Sequence, residues 1–132
     1  MTMRNHRSPV RRRMRPTDET LSVVAERDEG RCARCGRPIG GQRSVDWSLH
    51  HRRPAKAGGD RRLESHLPGN LVLLHGSGTT ACHGHVERFR TESYDLGLLV
   101  KEPTLPCEKP IQHAVHGLVL LDDEGGWACA SS

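Results

Sequence analysis

His50 and His51 stand side by side at the end of a short apolar stretch, SVDWSLHH, and are followed by RRPAKAGGD. Adjacent residues on a strand face opposite ways. At a strand end, one imidazole can therefore bind a metal while its neighbour stays free to take a proton. Partners for such a pair lie further along. Asn70 begins the apolar run NLVLL, and ACHGHVE supplies His83 and Glu87. The last two are four residues apart, which places them on one side of a helix, while His85 points elsewhere on it. Together these residue types suit chemistry in which a divalent cation and a neutral base act on one substrate.

A second constellation brackets the first. Cys32-Ala-Arg-Cys35-Gly36 is a C-x-x-C-G knuckle, whose spacing lets two thiolates meet one Zn²⁺ while turn amides face the sulfurs. The same pair alone also suits redox chemistry, but no thioredoxin-like strand–helix pattern surrounds it. Zinc needs four ligands. Cys82 supplies the third, and His75, which ends the apolar run, supplies the fourth across the loop HGSGTTAC. The expected site is Cys₃His, tetrahedral and closed. Were Cys82 only a small buried side chain and His75 only a surface residue, the thin core would lack an explanation.

Elements must hold these side chains. Thr17 or Asp18 caps a short helix in which Leu21, Val24 and Ala25 share a face, and Gly30 stops it. Val45 to Arg53 reads as a strand with Trp47, Leu49 and His51 on one face and His50 on the other. The stretch PAKAGGDRRLESHLPG is loop material, with Gly58 and Gly59 shaping it. NLVLLHG is a buried strand or short apolar turn. GSGTTACHG tightens into a helix capped by Thr79 or Thr80 and running to about residue 91. Residues 101–116 are irregular, and GLVLLDDEGGWAC reads as a terminal hairpin.

The chain of 132 residues suits one compact domain with tails, yet it is only 34% hydrophobic, with Trp47, Trp127, Tyr94 and Phe89 as its aromatics. So little core calls for a metal or disulfides. Five cysteines, an odd number, argue against a closed disulfide set. No secretory signal and no run of about 18 apolar residues is present. The reading is therefore a reducing cytoplasm and no membrane. Charge is segregated. Residues 1–16 carry six arginines and no acid, and residues 31–90 carry eleven basic against four acidic side chains; the segments 17–30 and 91–132 are acidic. This is the footprint expected for a polyanion such as nucleic acid.

From Arg27 to Arg90 the order of motifs — RDEGRCARCG, SLHHRRPAKAGGD, GNLVLLHGSGTTACHGHVE — resembles the HNH endonuclease family, and is similar to its small members from bacteriophages and prophages. The resemblance implies an α+β fold: a small zinc-stabilised ββα-metal (His-Me finger) domain over residues 17–100. A disordered basic arm (1–16) would precede it and a C-terminal extension (101–132) would follow. It implies that His51 is the general base and that His50 and His83 bind the catalytic divalent ion, with Glu87 one turn on as a further ligand and His85 as its competitor for that role. By the same resemblance Asn70 is the family asparagine, which orients the base and its loop or, in some members, reaches the metal. Two positions depart from the family pattern. Many relatives have cysteine at the place of His75, which zinc tolerates, and many have histidine at the place of Glu87. A carboxylate there favours Mg²⁺ or Mn²⁺ over Ni²⁺ or Zn²⁺.

The activity implied is metal-dependent hydrolysis of phosphodiester bonds in double-stranded DNA, by nicking or double-strand cleavage. The setting implied is a bacterial host cell, with phage packaging proteins such as terminase as further partners. Arg52, Arg53, Arg61, Arg62, Arg88 and Arg90 are the expected phosphate contacts. Two other readings compete: a non-catalytic zinc-stabilised nucleic-acid-binding module, and a packaging accessory protein.

Overall fold

The computed structural model describes residues 15–54 and 62–130. Among them are three α-helices and two small antiparallel sheets, an α+β architecture. Helix α1 spans Asp18–Arg27 and is capped by Thr17, whose Oγ1 accepts from the Thr20 N–H at 3.0 Å. Strands β1 (Trp47–His51) and β2 (Leu71–His75) pair with His50 opposite Val72 and His51 opposite Leu71. Helices α2 (Ala81–Arg88) and α3 (Arg90–Leu96) follow, and then a three-stranded sheet of β3 (Ile111–His113), β4 (Gly117–Leu121) and β5 (Trp127–Cys129).

Strand β2 is apolar along its length because it is covered on both sides. Leu71 and Leu73 meet Val24, Leu21 and Ala25 of α1, with Trp47 and Leu49 alongside. Val72 and Leu74 enter the larger cluster with Cys82 and Val86 of α2, and with Leu98, Leu99, Ile111, Val119 and Leu121. Residues beyond 100 thus close the same core that backs β1 and β2. The hairpin expected at GLVLLDDEGGWAC is β4–β5. The irregular stretch before it holds a short strand, β3, which only its pairing with β4 reveals.

The helix expected to run from the Thr79–Thr80 turn to about residue 91 breaks at Phe89 (φ −105°, ψ 69°). The Ser93 hydroxyl offsets the break by donating to the Val86 and Phe89 carbonyls. Thr80 stands at the start of α2 without capping it; its Oγ1 accepts from the Ser77 N–H instead. No helix among the described residues is long and apolar enough to cross a membrane. Gly58, Gly59, Arg61 and most of the basic arm lie outside the described residues.

Candidate functional site

The knuckle residues form a tight turn in which the Cys32 N–H donates to Arg37 and the Gly36 N–H to the Cys32 carbonyl. Gly36 has φ +80°, which favours glycine. The turn is held from both sides. Its Ala33 N–H donates to Leu73 of β2, and its Ala33 carbonyl accepts from Ala114. His75 at the end of β2 and Cys82 at the start of α2 complete a group of four, with one ligand atom from each residue and all such atoms within 4.8 Å of one another. The Cys35 Sγ lies 3.2 Å from His75 Nδ1. The His75 Nε2 donates to the Pro38 carbonyl at 3.1 Å, leaving Nδ1 with its lone pair toward the thiols. This Cys₃His cluster can hold a structural metal such as zinc.

The thiols are tuned unequally. Burial pushes Cys32 up to about 11. Burial also opposes ionisation of Cys35, but hydrogen bonds from Arg37 and the neighbouring thiols outweigh it and bring that group down to about 6. Arg34 donates to Cys82 Sγ at 3.5 Å, a cation beside the sulfur that sequence reading did not single out.

A second cluster of potential ligands sits on the α2 side of β1. His50, His83 and Glu87 place one ligand atom each within the same 4.8 Å. The buried His50 uses its Nε2–H on the Leu98 carbonyl at 2.8 Å, so its Nδ1 is the unprotonated nitrogen. That Nδ1 faces Glu87 Oε2 at 3.9 Å, and His83 Nε2 faces the same oxygen at 3.7 Å. Both separations are too long for hydrogen bonds, but two ligands each about 2.1 Å from one ion lie at most about 4.2 Å apart. Arg90 holds the other carboxylate oxygen, Oε1, at 2.7 Å. Burial, reinforced by the neighbouring His83, drives His50 down to about 3, and burial also lowers His83, so both imidazoles stay neutral and able to ligate. His83 Nδ1 is buried without a hydrogen-bond partner among the described residues. The donor set therefore fits a divalent cation.

Gly84 lets the turn before α2 fold tightly onto the helix: a Cβ there would lie 2.5 Å from the Thr79 carbonyl carbon. His85 is turned away, onto Glu92 at 3.1 Å and the Phe89 ring, so Glu87 is the residue of α2 grouped with the two histidines alongside His83.

His51, half-buried, faces away from His50. Its Nε2 is 3.4 Å from Nδ1 of His66, a residue the sequence reading left within loop material. A histidine four positions before Asn70 was the sole trace of it. Asn70 is buried and uses its whole amide on backbone. Oδ1 accepts from the Arg53 N–H at 2.7 Å, and Nδ2 donates to the carbonyls of Arg53 and Ser65 at 3.1 and 3.0 Å.

The arginines divide. Arg52 is fully buried and donates to the carbonyls of Gly97, Gly69, Pro106 and Lys109, which removes it from any phosphate. Arg53 is also buried, with its guanidinium on Glu64 at 3.1 Å. The expectation that these two contact phosphate does not match their place; both follow His51 where the chain turns inward. Arg62 pairs with Glu102, Arg90 holds Glu87, and Arg88 is exposed.

Comparison of the chain with family models, curated proteins and solved structures finds no match.

Proposed function

We propose that this chain is a metal-dependent HNH endonuclease that hydrolyses DNA phosphodiester bonds, with its β1–β2–α2 unit serving as the ββα-metal finger and a structural zinc in the Cys₃His cluster. The observation that carries the reading is the division at the end of β1. His50 turns inward to meet His83 and Glu87, while the next residue, His51, turns outward. A module that only binds nucleic acid has no use for an imidazole base beside a ligand cluster.

In this reading His50, His83 and Glu87 hold the catalytic ion, with Mg²⁺ or Mn²⁺ favoured by the carboxylate over Ni²⁺ or Zn²⁺. The ion would supply positive charge to offset that building on the phosphate and the departing 3′ oxygen. His51 accepts the proton of the attacking water, a task suited to a neutral imidazole. Asn70 fixes the turn that follows His51 through the Arg53 backbone. Arg88, exposed on α2, is available for flanking phosphates. The setting in phage DNA processing, and any packaging partner, rest on the family resemblance.

The test is cleavage of supercoiled plasmid by the purified chain in Mg²⁺, Mn²⁺, Ni²⁺ or EDTA, beside a His51→Ala variant. Metal-dependent nicking or linearisation that the variant loses supports the proposal. Equal cleavage by both sinks the assignment of His51. Retained DNA binding without cleavage in any metal favours the binding-module reading.

A further inference from the structure

Arg90, expected from the sequence to contact phosphate, has its guanidinium engaged within the fold. It opens α3, directly after the break at Phe89. Its Nη1 donates to Glu87 Oε1 at 2.7 Å, and its Nη2 donates to the Tyr94 hydroxyl at 3.2 Å. Its guanidinium carbon lies 5.6 Å from the centre of the Tyr94 ring, one helical turn further along α3. Tyr94 in turn packs against the larger core cluster. An exposed ion pair alone contributes little. This one is tied, at its arginine end, to a side chain anchored in the core.

The consequence falls on Glu87. Its Oε1 is taken by Arg90, and its Oε2 is the oxygen that faces His50 Nδ1 and His83 Nε2, at 3.9 and 3.7 Å. Carboxylates that ligate metals are commonly held in this way by a hydrogen bond to the other oxygen. The arrangement also discriminates between ions. Mg²⁺ demands a compact octahedron and is served by single oxygens, whereas Ca²⁺ gathers more oxygens and often takes both from one carboxylate.

We infer that Arg90 is a positioning residue for Glu87, which it restricts to one ligand oxygen, so that the site takes Mg²⁺ or Mn²⁺ in preference to Ca²⁺. Tyr94 holds the guanidinium in the pose that reaches Oε1. The inference rests on the proposed ion at His50, His83 and Glu87.

Calorimetric titration of the full, zinc-loaded chain with Mn²⁺ and with Ca²⁺ tests it in the absence of DNA. The readout is the ratio of the two affinities. Loss of the Arg90 charge acts alike on two ions of the same charge and cancels in that ratio. Arg90→Ala is expected to move the ratio about tenfold toward Ca²⁺. Tyr94→Phe, which keeps the ring and removes the hydroxyl, is expected to move it the same way by less. Arg90→Lys, which keeps the charge but not the fork that spans both partners, is expected to fall between wild type and Arg90→Ala. In a Glu87→Gln background the removal of Arg90 is expected to leave the ratio unchanged, because Gln offers one ligand oxygen with or without it. A ratio that Arg90→Ala does not move, or moves equally in the Glu87→Gln background, overturns the inference even where the wild type nicks DNA. A wild-type chain that takes up neither ion beyond its zinc defeats the ion site itself, and this inference with it.

Discussion

Asn70 and Arg53 bond each other in both directions: the Asn70 side chain accepts from the Arg53 N–H and donates to the Arg53 carbonyl. A third bond, to the Ser65 carbonyl, completes the amide's capacity in a fully buried setting. Asn70→Ala would leave an N–H and two carbonyls without this partner. At about 1–3 kcal/mol for a stranded buried group, partly relieved by relaxation, the expected destabilisation is about 3 kcal/mol. Asn70→Asp keeps the acceptor but sets a carboxylate oxygen against two carbonyls, and should fare no better. Denaturant unfolding of the metal-loaded chain measures both. A loss below about 0.5 kcal/mol for Asn70→Ala would remove the clamp from the account.

Arg52 and Arg88 should separate a fold-bearing cation from a phosphate-facing one. Arg52 is enclosed by four carbonyls, and its burial lowers it to about 9. Arg52→Ala strands those acceptors, with an expected cost of about 3–5 kcal/mol. Arg88→Ala should leave stability within about 0.5 kcal/mol. On the nuclease reading it also lowers the slope of log affinity for DNA against log salt by about one. Unfolding curves and salt titrations of DNA binding give the two answers. The reverse pattern would mean that the phosphate contacts lie elsewhere.

The Cys₃His group was legible because zinc ligands follow spacing: a C-x-x-C-G knuckle, then a histidine and a cysteine flanking one loop. The meeting of His50, His83 and Glu87 was legible too, since strand alternation and the four-residue helix step each decide a face. What escaped depended on long-range contact. Arg52 reads as a surface cation until the carbonyls of four segments close around it. His66 carries no periodic signal in a polar stretch. The Leu98 carbonyl that selects the His50 tautomer belongs to backbone, which no residue type announces. The segment beyond residue 100 looked like an appendage, although Ile111, Val119 and Leu121 join the main core. Their short strands become recognisable only in pairing.

Asp28 offers a test of how that segment is fastened. The carboxylate is fully enclosed, with Oδ1 on Arg27 Nε at 2.8 Å and on His113 Nε2 at 2.9 Å, and with Oδ2 on the Leu73 N–H at 3.1 Å. Burial pushes this carboxyl up, but the His113 hydrogen bond and the Arg27 guanidinium outweigh it, and the net direction is down. A carboxyl lowered in the folded state contributes stability that is complete above its unfolded pKa, about 3.9, and is lost as pH falls through the folded value. Asp28→Asn leaves the buried Arg27 without its counter-charge and should cost about 3 kcal/mol at neutral pH. The wild-type advantage over Asp28→Asn should stay flat down to about pH 4 and shrink below it. Acid also strips metal from thiolates, but it does so in both proteins, so the difference between their unfolding curves isolates Asp28. A difference that shrinks between neutrality and pH 5 would assign the dependence to another group.

Metal removal should unfold more than the knuckle. The Cys32–Gly36 turn bonds β2 on one side through Ala33 and Leu73, and the loop after β3 on the other through Ala114. If zinc holds the turn, extracting it loosens both attachments at once. The expected outcome is a cooperative loss of helix and sheet signal on treatment with a strong chelator, restored by Zn²⁺. Cys35→Ser and Cys82→Ala should copy the chelated state, whereas Cys107→Ser and Cys129→Ser should not, since neither belongs to the cluster. His75→Cys is the sharper variant. It swaps one zinc ligand for another, so metal binding should survive, but it removes the Nε2–H bond to the Pro38 carbonyl, and stability should fall by about 1 kcal/mol. Cobalt-loaded protein reports the ligands directly, because thiolate-to-cobalt charge-transfer absorption should grow from wild type to His75→Cys. Unchanged absorption would remove His75 from the ligand set.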